Sequence, residues 1–256
     1  MHKASEESRI RTAYSGLPTA RAVTYAGMPR ACPQTHRRSS LPRTTGAGRE
    51  EATLEPPGDR SAAGRPVLNV VGDRVALGPL RRDLLPTYRR WINDFGVLRT
   101  LGILPPGPTT LEQEAAWYEA RADDEARFTV YERATWTPIG NTALRGIDHR
   151  NRSAVFGILI GEPSARGRGY GTEATRLVLD YAFTALGLHS VMLAVAEFNL
   201  AGRRAYERAG FRESGRRRQC RWLGGLFWDD VYMDCLASGF ASPVLARVFA
   251  PDEPRP

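Results

Sequence analysis

Hydrophobic and polar residues alternate in strand-like and helix-like patterns from residue 67 onward. Period-two and short apolar runs in the first half of this region predict strands over 74–80, 128–133 and 140–147. Between the first two strands, Leu85, Tyr88 and Ile92 recur at helical spacing. Thr109 with Glu112 matches a capping box, which predicts the start of a second helix.

The second half of the region has a more regular pattern. It predicts strands over 154–160 and 190–196, helices over 172–186 and 201–209, and a hairpin of 215–222 with 227–235. Gly187 ends the first of these helices, and Gly224 with Gly225 suits a tight hairpin turn. Antiparallel strands followed by strands joined through helices indicate a mixed α/β (α+β) sheet in one domain, residues 66–240, with a tail at 241–256.

Residues 1–65 lack any apolar period and consist mainly of Ser, Thr, Pro, Gly, Ala and Arg. Such a segment buries too little apolar surface to offset its ordering entropy, so we expect a disordered N-terminal arm. The arm carries 11 Lys and Arg against 6 Asp and Glu, which is most of the net charge of +8. Only Lys3 among the 36 basic residues is a lysine, and this preference for arginine over lysine is typical of a GC-rich genome. We therefore expect no specific nucleic-acid partner.

Composition excludes several classes of protein. The chain has 256 residues, 42% hydrophobic and 25% charged, which is typical of a globular protein and excludes fibrous classes. No window reaches the ~18 uncharged apolar residues of a membrane span, and residues 1–30 lack a secretory signal, so we expect a cytoplasmic protein with no membrane partner. Cys32, Cys220 and Cys235 have no CxxC spacing, and we expect neither a disulfide framework nor a metal.

A glycine- and arginine-rich loop links the strand at 154–160 to the following helix. Its residues 166–172 read RGRGYGT. Glycines allow the backbone to approach a ligand, and the N–H groups at a helix start favour an anion such as pyrophosphate. The loop has neither the Walker lysine nor a GxGxxG spacing, which excludes a nucleotide triphosphatase and a Rossmann dehydrogenase.

A second motif follows the strand at 190–196 and consists of Asn199, Ala201, Tyr206, Gly210 and Phe211. With Arg166, Gly169 and Gly171 of the loop, it resembles the N-x-x-A-x-x-x-Y-x-x-x-G-F and Q/R-x-x-G-x-G/A signatures of the GNAT superfamily of acyl-CoA-dependent N-acetyltransferases. The resemblance is to the branch that contains ribosomal-protein, spermidine and some antibiotic acetyltransferases. It covers roughly residues 68–238 and says nothing about the arm.

The resemblance implies a GNAT-type domain that binds acetyl-CoA as a co-substrate. In that fold the strands at 154–160 and 190–196 splay apart, the pantetheine arm lies in the gap, and the pyrophosphate lies on the loop. The implied cofactor-binding residues are Ile158, Ile160, Arg166, Arg168, Gly169, Tyr170, Gly171, Thr172, Asn199 and Tyr206.

The resemblance also implies direct attack of a neutral amine on the thioester. This reaction needs a base for the ammonium proton and an acid for the departing thiolate. Tyr206 suits the acid because a phenol, with an ordinary pKa near 10, stays protonated at neutral pH. Glu197 is our candidate for the base, with Glu162 or a water-mediated route as alternatives.

The acceptor site in this fold is lined by helices and a hairpin that here carry aromatic and acidic residues. We expect Trp91, Tyr118, Trp228 and Asp229 to contact the acceptor. The expected acceptor is a primary amine of a small molecule, polyamine-like or aminoglycoside-like, or alternatively the N-terminal α-amine of a protein. A non-catalytic CoA-binding sensor and an RNA- or ribosome-binding protein are the alternatives from other classes. A homodimer through the sheet edge or the hairpin is compatible with the sequence.

Overall fold

The computed structural model describes residues 65–101, 107–120 and 122–252. Apart from Arg65, the disordered arm expected at residues 1–65 lies outside the described residues. Within the described residues, eight strands form one sheet in the order β1-β2-β3-β4-β5-β6-β8-β7. The strands are β1 (Val70–Val71), β2 (Val75–Pro79), β3 (Ala126–Glu132), β4 (Pro138–Asp148), β5 (Ser153–Ile160), β6 (Ser190–Ala196), β7 (Arg212–Leu223) and β8 (Leu226–Leu236).

The sheet is mixed, as the sequence predicts. Every neighbouring pair of strands is antiparallel except β5 and β6, which are parallel because a helical crossover joins them. The α-helices of the described residues are α1 (Leu85–Ile92), α2 (Phe95–Leu101), α3 (Leu111–Glu119), α4 (Tyr170–Asp180), α5 (Leu200–Ala209) and α6 (Leu245–Val248).

The start of α3 differs by one residue from the predicted capping box. Thr110 accepts a hydrogen bond from the N–H of Gln113, and the Gln113 side chain accepts one from the N–H of Thr110. Thr109 instead donates its N–H to Asn93, which anchors the preceding loop. The box of Thr109 and Glu112 was therefore wrong, because a tertiary contact recruits Thr109.

The two faces of the sheet carry different helices. Successive strand residues point to opposite faces. Phe156 and Ile158 of β5 belong to the main core together with Leu177 of α4, whereas Leu159 packs with Tyr88 of α1 in a second cluster. We call these sides the α4 face and the α1 face; α5 lies on the α4 face, where Tyr206 packs against Phe156.

The end of the described chain is anchored to the main core. Asp180, at the end of α4 and fully buried, accepts hydrogen bonds from the N–H groups of Val244 and Leu245 and from the hydroxyl of Thr184. The tail predicted from residue 241 therefore packs against the domain as far as α6. Across the described ranges, no helix is long and apolar enough to span a membrane.

Candidate active site

A gap opens in the middle of the sheet where β5 and β6 part. The two strands pair only at Ser153–Ser190, Ala154–Val191 and Val155–Met192. From Phe156 and Leu193 onward each strand continues without the other as a partner. β5 therefore presents a free backbone edge over its last five residues, and α2 packs against both strands nearby.

The glycine-rich loop leads from the end of β5 to the start of α4. Gly167 and Gly169 have φ angles of 72° and 82°, a left-handed conformation that side chains rarely adopt. Gly169 is the N-cap of α4, and no side chain caps this helix. The first-turn N–H groups, which have no acceptor within the helix, are thereby left for an anion. A methyl group on Gly171 would lie 3.6 Å from Cγ1 of Ile160.

Two residues absent from the sequence prediction hold this loop against the start of β2. The carboxylate of Glu173 accepts hydrogen bonds from the N–H groups of Arg74 (2.8 Å) and Val75 (3.3 Å). The guanidinium of Arg74 in turn donates to the carbonyl of Arg168 at 2.6 Å. This contact could not be predicted from the sequence, because nothing local in residues 72–75 indicates that they meet a loop almost 100 residues later.

Tyr170 and Arg168 direct their side chains toward β3. The Tyr170 hydroxyl donates to the carboxylate of Glu132, and Arg168 forms an ion pair with the same carboxylate at 3.4 Å. The hydrogen bond from Tyr170 is the main reason that the pKa of Glu132 is lowered. Tyr170 therefore presents its backbone N–H, and not its buried ring, at the helix start.

Arg166 fixes the end of β5. Its guanidinium donates to the carbonyls of Ile160 (3.1 Å) and Gly161 (3.0 Å) and pairs with Asp94 at 3.3 Å. These bonds set the direction in which the strand enters the loop. Any contact of Arg166 with a phosphate would compete with the ion pair to Asp94.

The remaining predicted cofactor residues surround the gap. Ile158 and Ile160 are half-buried against the main core, and Thr172 lies in the first turn of α4. Asn199 is the N-cap of α5, where its side-chain oxygen accepts the N–H of Gly202 at 3.0 Å. Its Oδ1 therefore serves the helix, which leaves the amide nitrogen as the group available to a ligand.

Tyr206 lies on α5 in apolar surroundings beside the gap. Its ring centroid is 6.1 Å from that of Phe156 and 6.0 Å from that of Phe211, both in edge-on geometry. Burial raises the pKa of Tyr206 to about 12. The phenol is therefore a proton donor, and not a phenolate, at neutral pH.

Glu197 and Asp229 form a charged cluster on the α4 face. Glu197 Oε1 accepts the N–H of Asp229 at 2.9 Å, and its Oε2 lies 3.5 Å from Arg216. Asp229 Oδ1 accepts the N–H of Gln219 at 2.8 Å, which secures a bulge in β7. Both carboxylates thus accept a backbone N–H and lie within 4.0 Å of the Arg216 guanidinium.

Glu162 lies at the end of β5 and is also fully engaged. It accepts a hydrogen bond from the indole N–H of Trp91 at 2.8 Å and pairs with Arg90. Burial alone would raise the pKa of Glu162, but the hydrogen bonds from Arg90 and Trp91 outweigh it, and the pKa falls below its ordinary value.

The aromatic residues expected at the acceptor site divide into buried and accessible ones. Trp91 is only 1% exposed and its indole occupies the space beside Gly161, so it offers no surface to a ligand. Tyr118 is half-buried against the α1 cluster. Trp228 is half-buried in the hairpin, 5.6 Å from the ring of Phe198, and donates its indole N–H to the carbonyl of Leu223.

Comparison with known proteins identifies the family to which the chain belongs. A family model described as an acetyltransferase (GNAT) domain matches residues 74–212. The chain is 35% identical over 118 residues to spermidine N(1)-acetyltransferase of Vibrio cholerae serotype O1, covering 46% of this chain and 68% of the relative. It is 28% identical over 160 residues to human alpha/beta-tubulin-N-acetyltransferase 9, covering 56% and 75% respectively.

A solved structure gives the same result in three dimensions. The crystal structure of spermidine N-acetyltransferase from Vibrio cholerae in complex with CoA and spermine superposes with a TM-score of 0.60 at 28% identity. The match covers 66% of this chain and 98% of that one. The chain therefore belongs to the GNAT superfamily and is an N-acetyltransferase.

Proposed function

We propose that this enzyme transfers the acetyl group of acetyl-CoA to a primary amine of a small, cationic, polyamine-like molecule. The observation that carries the proposal is the opening between β5 and β6, with the start of α4, which no side chain caps, at one end and Tyr206 beside it. Similarity to proteins named as spermidine acetyltransferases supports the acceptor class.

The residues around the opening fit an acyl-CoA. The free edge of β5 after Val155 offers backbone groups to an amide-containing arm. The first-turn N–H groups of α4, beside Gly169 and Gly171, suit a pyrophosphate, with Arg168 adding positive charge. When bound there, acetyl-CoA supplies the activated acetyl thioester.

The acceptor approaches from the α1 face in this proposal. α4 and α5 cover the other face beside the gap, where Tyr206 packs on Phe156. Tyr206 then lies on the donor side, which suits a group that protonates the departing thiolate. The acceptor lies on the opposite side of the sheet, beside Leu159 and the half-buried Tyr118.

We assign loss of the ammonium proton to water and not to a side chain. Glu197 and Glu162, the two carboxylates considered for the base, are both held by arginines and by N–H donors. For Glu162 the hydrogen bonds from Arg90 and Trp91 lower the pKa below its ordinary value, so this carboxylate has little tendency to accept a proton. An amine that reaches the site neutral, or loses its proton to solvent, needs no dedicated base.

A panel of acceptors tests the proposal. CoA release is measured with the full chain and acetyl-CoA, in parallel with spermidine, an aminoglycoside, and short peptides with free Ala or Ser N-termini. We expect turnover with spermidine to exceed turnover with the other classes. Preference for the peptides would favour acetylation of a protein N-terminus instead; one relative is named as a tubulin N-acetyltransferase, whose acceptor is a protein. Binding of acetyl-CoA without turnover of any acceptor would contradict the proposal that this site catalyses acetyl transfer.

A further inference from the structure

Near the closed end of the gap, the α1 face of β6 and β8 is open, whereas further along the same face Ala196 and Asp230 are buried. Buried Leu193 and Met233 point to the α4 face, so the residues that alternate with them point the other way. These are Met192 and Ala194 of β6, both exposed, and Tyr232 and Asp234 of β8, both half-buried. We call these four residues the open face.

The open face adjoins the point where β5 and β6 separate. Met192 is the last residue of β6 that pairs with β5, and Asp234 lies directly across from Met192 on β8. Neighbouring strands are about 4.8 Å apart, so Asp234 lies one strand spacing from Met192, at the closed end of the gap. That distance is short enough for one small molecule to contact Asp234 while its other end lies in the gap.

Asp234 differs from the other two acids of β8. Asp230 is buried and paired with Arg221, and Asp229 accepts an N–H on the opposite face. Among the described residues no ion pair within 4.0 Å involves Asp234, although the exposed Arg212 lies across from it on β7. The open face thus combines a carboxylate with no ion partner and the apolar surface of Met192, which is 40% exposed.

We propose that Asp234 binds a second ammonium group of the acceptor, one that is not acetylated. This assignment rests on the proposed function. A carboxylate beside the reacting amine would stabilise its charged form and hinder attack, whereas a distant carboxylate aligns the molecule without that cost. Amines joined by three or four methylenes lie roughly 5–6 Å apart. Asp234 therefore selects diamines and polyamines over monoamines, with the methylenes lying on Met192 and Ala194.

Paired acceptors test the role of Asp234. The values of kcat/KM for 1,4-diaminobutane and for n-butylamine are measured with the full-length wild type and with Asp234→Asn. We expect the wild type to prefer the diamine and the variant to lose at least about tenfold of that preference, mainly through KM for the diamine. KM for acetyl-CoA and turnover of butylamine should change little, which also shows that the variant is folded.

The matched control is Asp123→Asn, which removes the same charge from an exposed turn and should leave the preference unchanged. An unchanged preference in Asp234→Asn, or equal use of both amines by the wild type, would overturn this assignment alone. Absence of turnover of either amine by the wild type would overturn the proposed function and this assignment with it. If light scattering shows that Asp234→Asn dissociates an oligomer while the preference persists, the open face is an interface between copies of the chain.

Discussion

At the scale of single residues, the role of Tyr206 as the catalytic acid can be tested directly. Its phenol has apolar neighbours and a pKa of about 12, so it stays protonated across the range in which amines become neutral. Replacing it with phenylalanine removes the proton and keeps the ring. We expect Tyr206→Phe to lower kcat at least ~10-fold, as for lost acid catalysis, with little change in acetyl-CoA affinity.

Two quantities are measured for each variant: kcat from steady-state kinetics and the affinity for acetyl-CoA from calorimetry. Tyr181→Phe is the matched control, because Tyr181 is another half-buried tyrosine and packs edge-on against Phe128 in the core. A Tyr206→Phe enzyme with unchanged kcat would remove the acid assignment. A parallel loss of acetyl-CoA binding would instead indicate a structural role for the hydroxyl.

The protonation of Glu114 on α3 should make the free energy of unfolding depend on pH. It is fully buried, and neither carboxylate oxygen has a hydrogen-bond partner. Burial raises its pKa from 4.5 to about 7. Between these pH values the folded state retains a proton that the unfolded state has lost, so stability falls as pH rises from about 4.5 to 7.

Glu114→Gln should abolish this component of the pH dependence. Relative to wild type, the variant should gain about 2–3 kcal/mol of unfolding free energy between pH 5 and pH 8. Urea unfolding at both pH values measures the difference, and Glu207→Gln on the exposed side of α5 is the control. A constant offset between variant and wild type at the two pH values would show that Glu114 finds a partner when charged.

Residue identities in the candidate site were predictable from the sequence only where a motif fixes them. The loop glycines and Tyr206 came from such motifs. The adjacent pair Asp229 and Asp230 did not, since strand alternation sends them to opposite faces and the sequence does not say which face binds an acceptor. Trp91 shows the same limit, because a buried and a ligand-facing aromatic have the same helical spacing.

At the scale of elements, the loop before α4 takes its conformation from Gly167 and Gly169, and we expect a side chain added to this loop to obstruct a bound ligand. Gly171 has an ordinary backbone, and its missing Cβ points toward Ile160 at the end of β5. Gly171→Val should therefore weaken acetyl-CoA binding about tenfold or more while leaving thermal stability nearly unchanged.

Calorimetry with acetyl-CoA measures this effect, and Gly239→Val is the control because nothing lies within 4 Å of the added carbon there. Gly169→Val should also lose binding, but with reduced stability, because φ is 82° at that position. Normal binding in both loop variants would mean that the pyrophosphate lies elsewhere.

The strands and helices that could be predicted from the sequence are those in which hydrophobic residues recur with a clear period. The strands β5 and β6 and the helices α4 and α5 all show such a hydrophobic period. α2 was not predicted, because seven residues that include Gly96 have little helical propensity of their own. Its first turn is held by Asp94, which accepts the N–H of Gly96, and its buried Val97 and Leu98 gain their packing from distant parts of the chain.

At the scale of the whole molecule, the described structure and the family match both begin near residue 70. The strands and helices that the structure describes lie within residues 70–248, and the matched residues are 74–212. The contacts that form the proposed site, as the structure describes them, join residues within this range. We therefore expect a chain of residues 65–256 to keep kcat/KM within about twofold of the full chain. Arg65 is retained because its guanidinium lies over the Trp136 ring at 4.7 Å.

The two ends of the chain should respond differently to truncation. Removing residues 243–256 takes the N–H groups of Val244 and Leu245 away from the buried carboxylate of Asp180, leaving only Thr184 as a donor. A buried charge that loses its hydrogen bonds costs about 1–3 kcal/mol or more, so this truncation should lower the melting temperature while the N-terminal one should not. If the N-terminal truncation instead removes activity, and the activity of the full chain falls steeply with salt, the arginine-rich arm binds an anionic partner that the reaction requires.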